Sequence, residues 1–216
     1  MSKVLKKMWN GNKSLLFFIS LMLVFRSAVA DWNDVPTGSM KPTIVEGDRI
    51  LINKLAYDVN IPFLQKSIFK LADPKVNDII IFESKVADKR LVKRVIGVPG
   101  DTVSMSNNQL TINNQKVFYN SILFASDKNI LKENIAHNSH TIQLTNTPSP
   151  LASFDQVKVP NNYYLVLGDN RNNSADSRVI GFVPRNEIIG RSSKVVLSLD
   201  YDNYLLPRAE RFLLDI

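Results

Sequence analysis

The pattern of apolar and polar positions divides the chain into an apolar N-terminal segment and a longer region with many strand signals. Residues 14–25 are apolar apart from two serines. From residue 44 onward, short β-branched and apolar runs alternate with Gly, Pro and Asn, a pattern that predicts β-strands. These runs lie at residues 49–54, 76–82, 91–98, 102–105, 110–112, 163–167 and 193–199. We therefore predict a mainly β protein.

The residues between these runs predict turns and little helix. Asparagine tolerates left-handed backbone angles, so we expect hairpin turns at Asn107-Asn108 and Asn113-Asn114. Two short segments are candidates for helical structure: a turn over residues 62–70, and the C-terminal residues 207–216. In the second, an apolar face can be formed by Leu206, Phe212, Leu213 and Ile216.

Residues 104–160 differ in composition from the chain on either side. They are rich in Asn, Ser and Thr, and they contain no motif to which chemistry can be attached. We interpret them as a non-catalytic β/loop cap inserted into a core formed by residues 31–103 and 161–216. The histidines His137 and His140 lie in this stretch, and we expect them in a solvated loop.

The N-terminal segment has the features of an export or membrane signal. Residues 1–13 contain four lysines and no acidic residue, a bias that keeps them cytoplasmic and sends the rest of the chain across the membrane. A cleavable signal ending at Ala28-Val29-Ala30 is one interpretation. The other is a retained transmembrane anchor over residues 14–30, with Arg26 extended to the interface. We favour the anchor, and in both cases the remainder is exported.

Composition narrows the possible partners and reaction types. The net charge of +7 is scattered over 216 residues, which favours an anionic membrane surface over nucleic acid. The chain has no cysteine, so disulfides and thiol nucleophiles are excluded. With two histidines, both in one polar stretch, a Ser-His-Asp hydrolase and a metal site are poorly supported. We expect no cofactor and no metal; the oligomeric state stays open.

Residues 37–43 (Thr-Gly-Ser-Met-Lys-Pro-Thr) present a serine on a bent backbone. Gly38 permits a sharp turn, and Pro42 restricts the residue before it. A serine hydroxyl needs a base within hydrogen-bond reach, and with histidine scarce that base is a lysine. Ser39 is thus a candidate nucleophile.

Lys93 is the candidate base because it lies in a strand of apolar residues. Burial disfavours the charged amine and lowers its pKa. Strand alternation places Arg94 on the opposite face. The alternative for Lys93 is an exposed charge on an edge strand, and Lys41 and Lys54 are competing bases.

Three segments, residues 37–43, 91–101 and 168–178, together resemble the sequence boxes of bacterial type I signal peptidases (leader peptidases). Gly47-Asp48 and residues 181–184 extend the resemblance. The boxes occur in the family's order, and the insertion lies where the family has its variable region. The resemblance is to the shorter, single-span members. It implies a coiled antiparallel β-sheet catalytic core of the signal-peptidase type, preceded by one N-terminal transmembrane helix.

This resemblance implies a Ser-Lys dyad with Ser39 as nucleophile and Lys93 as general base. The backbone N–H of Ser39 and the hydroxyl of Thr37, which stands where the family usually has serine, would form the oxyanion hole. Such donors stabilise the transition state by a few kcal/mol each.

The third box implies supporting roles for three further residues. By the resemblance, Ser174 holds the Lys93 amine, and Asp176 and Arg178 form a structural ion pair. In isolation, a polar turn with surface charges would explain this box as well as a functional role does.

The resemblance also implies the substrate and the location. Family members cut signal-peptide-bearing preproteins after small residues at −1 and −3. We expect a single-pass protein of the bacterial cytoplasmic (inner) membrane, with its catalytic domain on the extracytoplasmic side. The candidates for pocket walls, with ordinary core as the alternative, are Pro36, Met40, Leu91 and Val92.

Residues 31–34 are more polar than the corresponding family segment, and Ala28-Val29-Ala30 is a possible self-cleavage site. Two other functions remain open at this point: a dedicated conjugation or pilin-type processing protease of the same architecture, and a non-enzymatic exported β-rich binding protein. A cytoplasmic repressor-type autoprotease shares the dyad but needs a DNA-binding module in place of the anchor, and we expect none.

Overall fold

The computed structural model describes residues 3–64, 66–136 and 138–216, with side chains described from residue 12 in the N-terminal helix. Helix α1 spans Lys3–Ala28, and a single short helix turn, α2, spans Ser177–Ile180. The described strands are β1 Ala30–Asp34, β2 Asp48–Asn53, β3 Asp58–Ile61, β4 Lys66–Lys70, β5 Ile79–Ser84, β6 Lys89–Gly97, β7 Thr102–Ser106, β8 Gln109–Ile112, β9 Gln115–Lys116, β10 Phe118–Phe124, β11 Lys128–Ile135, β12 Asn138–Thr145, β13 Phe154–Lys158, β14 Tyr163–Leu167, β15 Val183–Pro184, β16 Ile188–Asp200, β17 Leu206–Pro207 and β18 Leu214–Asp215.

The main sheet has the strand order β1-β2-β16-β5-β6-β14-β15, and β17 and β18 pair with β16. All of these pairs are antiparallel. β14 pairs with β6 from Arg94 to Gly97, whereas β5 pairs with β6 along its length from Lys89 to Arg94. One edge of β6 is therefore free of strand partners before Arg94 among the described residues.

The inserted region forms two small antiparallel sheets, β13-β7-β8-β9 and β10-β11-β12, and β3 and β4 form a separate hairpin. The mainly β, antiparallel prediction is thus confirmed. The two asparagine pairs do occupy hairpin turns, with φ between 49° and 62° at all four residues.

Strand alternation distributes the apolar side chains over three clusters. In β5, Ile79 and Ile81 join one cluster, and Ile80 and Phe82 join a second. The third cluster unites residues of the main sheet with residues of the inserted region: Ile96, Leu165, Leu167, Val103, Met105, Leu110, Ile135 and Val159. The inserted region therefore packs directly on the main sheet.

Three local predictions were wrong. Residues 207–216 form no α-helix, because the chain there pairs with β16 through Leu206 and Asp215. The second half of residues 62–70 is strand β4 rather than a turn. His140 is a buried residue of β12, while His137 lies outside the described residues.

Helix α1 ends at Ala28, and Ala30 already belongs to β1. The Val29 carbonyl accepts a hydrogen bond from Lys54 N–H (2.9 Å), and Ala30 pairs with Asn53. Val29 and Ala30 are therefore tied into the sheet, directly after the last helical residue, Ala28. In the described part of the chain, no helix combines the length and the apolar character that a membrane span requires.

Candidate active site

Ser39 lies in a turn between β1 and β2 that is anchored by its apolar neighbours. Lys41 N–H donates to the Gly38 carbonyl (3.1 Å), and Ile44 N–H donates to the Met40 carbonyl (3.0 Å). Met40 and Ile44 are buried in the first cluster. These two side chains fix the turn, and Ser39 stays half-buried at its surface.

Lys93 extends from β6 to this turn. Its Nζ lies 2.7 Å from Ser39 Oγ and donates to the Val92 carbonyl (3.0 Å). Only 2% of Lys93 is exposed. The predicted residues are therefore brought together, and the alternative of a solvent-exposed Lys93 is excluded.

Burial lowers the pKa of the Lys93 amine from 10.5 to about 8. The carboxylates of Asp176 and Asp169 act in the opposite direction, and the positive charges of Lys89 and Arg178 add to the lowering. Desolvation outweighs the two carboxylates. A substantial fraction of the amine is thus neutral at mildly alkaline pH, and a neutral amine 2.7 Å away can accept the Ser39 hydroxyl proton.

The amines of the two competing lysines, Lys41 and Lys54, bind other partners than Ser39. Lys41 Nζ is 2.7 Å from Glu46 Oε2. Lys54 Nζ donates to the Arg26 carbonyl (2.9 Å) and lies 3.4 Å from Asp31 Oδ2.

Asp176 and Arg178 form a buried ion pair behind the dyad. The Arg178 guanidinium donates to both Asp176 oxygens, at 2.8 and 2.6 Å, and Gly168 N–H also donates to Asp176 (3.0 Å). Arg178 further donates to the Leu151 carbonyl of the inserted region (2.7 Å). The ion pair thus joins the third box to the inserted region.

Ser174 is buried, and its Oγ has no hydrogen-bond partner among the described residues. The expected hydrogen bond between Ser174 and Lys93 is not formed: the hydrogen bonds of the amine go to Ser39 and Val92.

A family model described as "Signal peptidase, peptidase S26" matches residues 8–197. The chain belongs to this family. It is therefore a serine endopeptidase, and the non-enzymatic binding protein is rejected.

Curated relatives agree with this assignment. Signal peptidase I of Pseudomonas fluorescens is 32% identical over 204 residues, covering 86% of this chain and 71% of the relative. Signal peptidase I of Bacillus amyloliquefaciens is 32% identical, covering 87% of this chain and 84% of the relative. A crystal structure of a signal peptidase I from Enterococcus faecalis V583 is 29% identical and matches 56% of this chain and 97% of its own with a TM-score of 0.36.

The four candidate pocket residues of the signal peptidase chain lie in different environments. Met40 is 1% exposed and packs in the first cluster, so it is core. Pro36 is exposed. Leu91 packs against the second cluster and Val92 against the first, so these adjacent residues lie on opposite faces of β6. Thr37 is exposed at the entrance of the turn.

Four buried charged residues near the site were missed by the sequence analysis. Arg94 donates to both oxygens of Asp169 (2.8 and 2.7 Å), and Thr43 Oγ1 lies 2.5 Å from Asp169. Although burial alone raises the pKa of Asp169, the Arg94 guanidinium holds it below the usual value. Arg171 forms a fully buried bidentate pair with Glu133 of β11.

Arg94, Asp169 and Arg171 lie in the recognised boxes, so their positions were visible without their pairing. Glu133 had no signal, because a single glutamate on an alternating strand normally faces water. His140 Nε2 lies 3.0 Å from Glu133, and the sequence likewise contained no indication that His140 is buried.

In the described residues no cluster of three or more His, Cys, Asp or Glu side chains has the arrangement of a metal site.

Proposed function

We propose that this peptidase removes N-terminal signal peptides from exported preproteins, with Ser39 as nucleophile and Lys93 as general base. The observation that carries the proposal is the 2.7 Å separation between Lys93 Nζ and Ser39 Oγ. The lowered pKa of the buried amine supports it, because a lysine can act as a base only in its neutral form.

The proposed reaction is a two-step acyl transfer. Neutral Lys93 takes the Ser39 hydroxyl proton as Oγ attacks the scissile carbonyl carbon. The tetrahedral intermediate then collapses to an acyl-enzyme, and the Lys93 ammonium returns the proton to the departing amine. Water attacks the ester with Lys93 again as base, which releases the second product and regenerates Ser39.

The proposed oxyanion hole consists of the Ser39 N–H and the Thr37 hydroxyl. The Ser39 N–H has no acceptor among the described residues, so it is available to a developing oxyanion. In this proposal Asp176 and Arg178 hold the third box behind the dyad, and the buried Ser174 hydroxyl lies so close to Gly168 that a Cβ at position 168 would clash with its Oγ.

The free edge of β6 supports binding of an extended substrate. β6 pairs with β5 on one side at residues 91–93, and β14 covers its other side only from Arg94 onward. An extended peptide can add to such an edge by backbone hydrogen bonds. We assign Pro36 and Val92 as the walls that admit only small residues at −1 and −3, with Met40 beneath the turn; Leu91 lies on the opposite face of β6 and does not line the same pocket.

We further propose that the predicted anchor, residues 14–30, holds the protein in the bacterial cytoplasmic membrane through its helical part, which ends at Ala28, with residues 1–13 in the cytoplasm. The catalytic core (31–103 and 161–216) and the inserted region (104–160) would lie outside. Large apolar side chains between Leu15 and Phe25 are 39–70% exposed, and a lipid bilayer would cover them.

The test is cleavage of a purified preprotein with an Ala-x-Ala site, in detergent, by variants with matched controls. Ser39→Ala and Lys93→Met should each lower kcat by a factor on the order of 10³ or more. The controls Ser106→Ala and Lys54→Met remove the same groups outside the dyad and should cleave at the wild-type rate. Retained cleavage by Ser39→Ala would remove the dyad from the mechanism.

A further inference from the structure

Asn170 lies behind the Ser39 turn and holds two of its carbonyl groups. Its Nδ2 donates to the Gly38 carbonyl (3.0 Å), and its backbone N–H donates to the Ser39 carbonyl (3.1 Å). Asn170 is 3% exposed. Within the described residues, the only other donor to these carbonyls is Lys41 N–H, which belongs to the turn itself.

The Gly38 carbonyl and the Ser39 N–H belong to one planar trans peptide group, so they point in opposite directions. A side chain that fixes the carbonyl therefore also fixes the direction of the N–H. Since the carbonyl faces Asn170, the Ser39 N–H faces away from it. This N–H is the one proposed above as an oxyanion donor.

We propose that Asn170 is a positioning residue, whose side-chain amide holds the Gly38–Ser39 peptide so that the Ser39 N–H is directed at the reaction oxyanion. The inference rests on the proposed function for the identity of the oxyanion. Whether Asn170 fixes the conformation of the turn can be tested without any enzymatic activity.

The inserted region in turn holds Asn170. Gln143 of β12 donates its N–H to the Asp169 carbonyl (2.8 Å), and Arg171 N–H donates to the Gln143 carbonyl (3.0 Å). The buried pair of Arg171 with Glu133 fixes the same segment to β11. Residues 169–171 thus bond to the inserted region on one side and to the nucleophile turn on the other.

The first measurement is hydrogen exchange of the turn amides in the full-length protein. In Asn170→Ala, the Lys41 N–H should exchange about five- to tenfold faster, because one hydrogen bond that holds its Gly38 acceptor is lost. Asn170→Asp keeps the size of the side chain, places a carboxylate oxygen where the donor was, and should show the same change if the alanine variant is unstable. Asn172→Ala is the matched control, because Asn172 Oδ1 accepts from Thr145 N–H (3.1 Å) and lies away from the turn.

The second measurement is steady-state cleavage by the same variants. A misdirected oxyanion donor weakens transition-state binding alone, so Asn170→Ala should lower kcat about 10- to 100-fold with KM within about twofold of wild type. The pH at which its activity is half-maximal should stay at the wild-type value, because the Lys93 environment is unchanged. Asn172→Ala should match the wild type in both constants.

Unchanged exchange at Lys41 in both Asn170 variants would overturn the proposal, whatever their activity. Faster exchange with an unchanged kcat would also overturn it, because the turn would then move without cost to the reaction. If the wild-type protein cleaves no preprotein, the proposed function fails, and the exchange experiment still decides whether Asn170 holds the turn.

Discussion

Lys93 is the residue at which function and stability conflict. Its amine is shielded from water by β6 and its neighbours, and burial lowers the pKa of the amine to about 8. The same burial makes the protonated amine unfavourable in the folded state. In the proposed mechanism this side chain provides the base, and its burial weakens the fold whenever the amine is charged.

The rate of cleavage should follow the titration of this amine. We expect kcat/KM to rise with pH through about 8 and then level off, because only neutral Lys93 can accept the Ser39 proton. The measurement is a pH–rate profile between pH 6 and 10 with a soluble peptide substrate. Lys93→Arg should be inactive across the range, since arginine stays protonated; a flat wild-type profile would contradict the assignment of the base.

Replacing Lys93 by methionine should stabilise the protein while abolishing cleavage. Below pH 8 both folded and unfolded states are protonated, and the buried charge costs the fold about 3 kcal/mol for a lowering of the pKa from 10.5 to about 8. Wild-type stability should therefore rise with pH between about 8 and 10.5, where only the unfolded state binds the proton, and Lys93→Met should lack this rise. Urea unfolding at pH 7 and 10 measures the stability of both proteins and its change with pH. A Lys93→Met variant that is less stable than wild type at pH 7 would contradict the prediction.

At the residue scale, the scarcity of histidine and the apolar neighbours of Lys93 favoured a lysine base but left Lys41 and Lys54 as competitors, and the pairing of Ser39 with Lys93 was predicted from the resemblance to the family's sequence boxes. Asn170 and Glu133 were not predictable in the same way. Their roles depend on which backbone carbonyl or guanidinium comes to face them, and sequence spacing contains no information about such long-range contacts.

At the scale of elements, the site is a contact between a turn, a strand and a loop that is supported from the inserted region. The predicted division into a catalytic core and a non-catalytic insert describes composition well. It hides the fact that Gln143 and Glu133 of the insert bond to the third box. The insert therefore contributes to the geometry of the site without supplying a reacting group.

The buried Glu133–Arg171 pair should make a large contribution to stability. Glu133→Gln leaves the fully buried Arg171 guanidinium without a counter-charge, and the free energy of unfolding should fall by about 3 kcal/mol or more. Glu83→Gln is the matched control: it removes the Arg90 partner at a half-exposed site and should cost at most about 1 kcal/mol. Chemical unfolding of both variants measures the difference. Equal losses in the free energy of unfolding would show that the buried pair stabilises the protein no more than the half-exposed pair does.

Strands and hairpin turns were predictable because alternation and asparagine pairs are local signals. The C-terminal segment was not, because its apolar residues fit a helical spacing equally well. Tertiary contacts decide its structure: Arg211 donates to both Asp48 oxygens at 2.9 and 2.6 Å, and short strands pair with β16. These contacts hold the segment flat on the sheet.

At the scale of the whole molecule, apolar surface is left uncovered in separate places. One lies on helix α1, where Phe18 and Met22 are 58% and 44% exposed. Another lies on β10 of the inserted region, where Phe118 and Phe124 are 76% and 71% exposed. If the helix is the membrane anchor, the two surfaces must respond differently to added charge.

We expect the wild-type protein, expressed in bacteria, to remain in the membrane pellet after alkaline carbonate extraction. Phe18→Arg with Met22→Arg should release it, because each arginine near the middle of an inserted helix costs about 2.5–3.5 kcal/mol. Phe118→Arg with Phe124→Arg makes the same chemical change on β10 and should leave the protein in the pellet. Release of wild type would contradict a membrane anchor, and retention of the helix variant would place the anchor elsewhere. Release of the β10 variant alone would assign membrane binding to the inserted region.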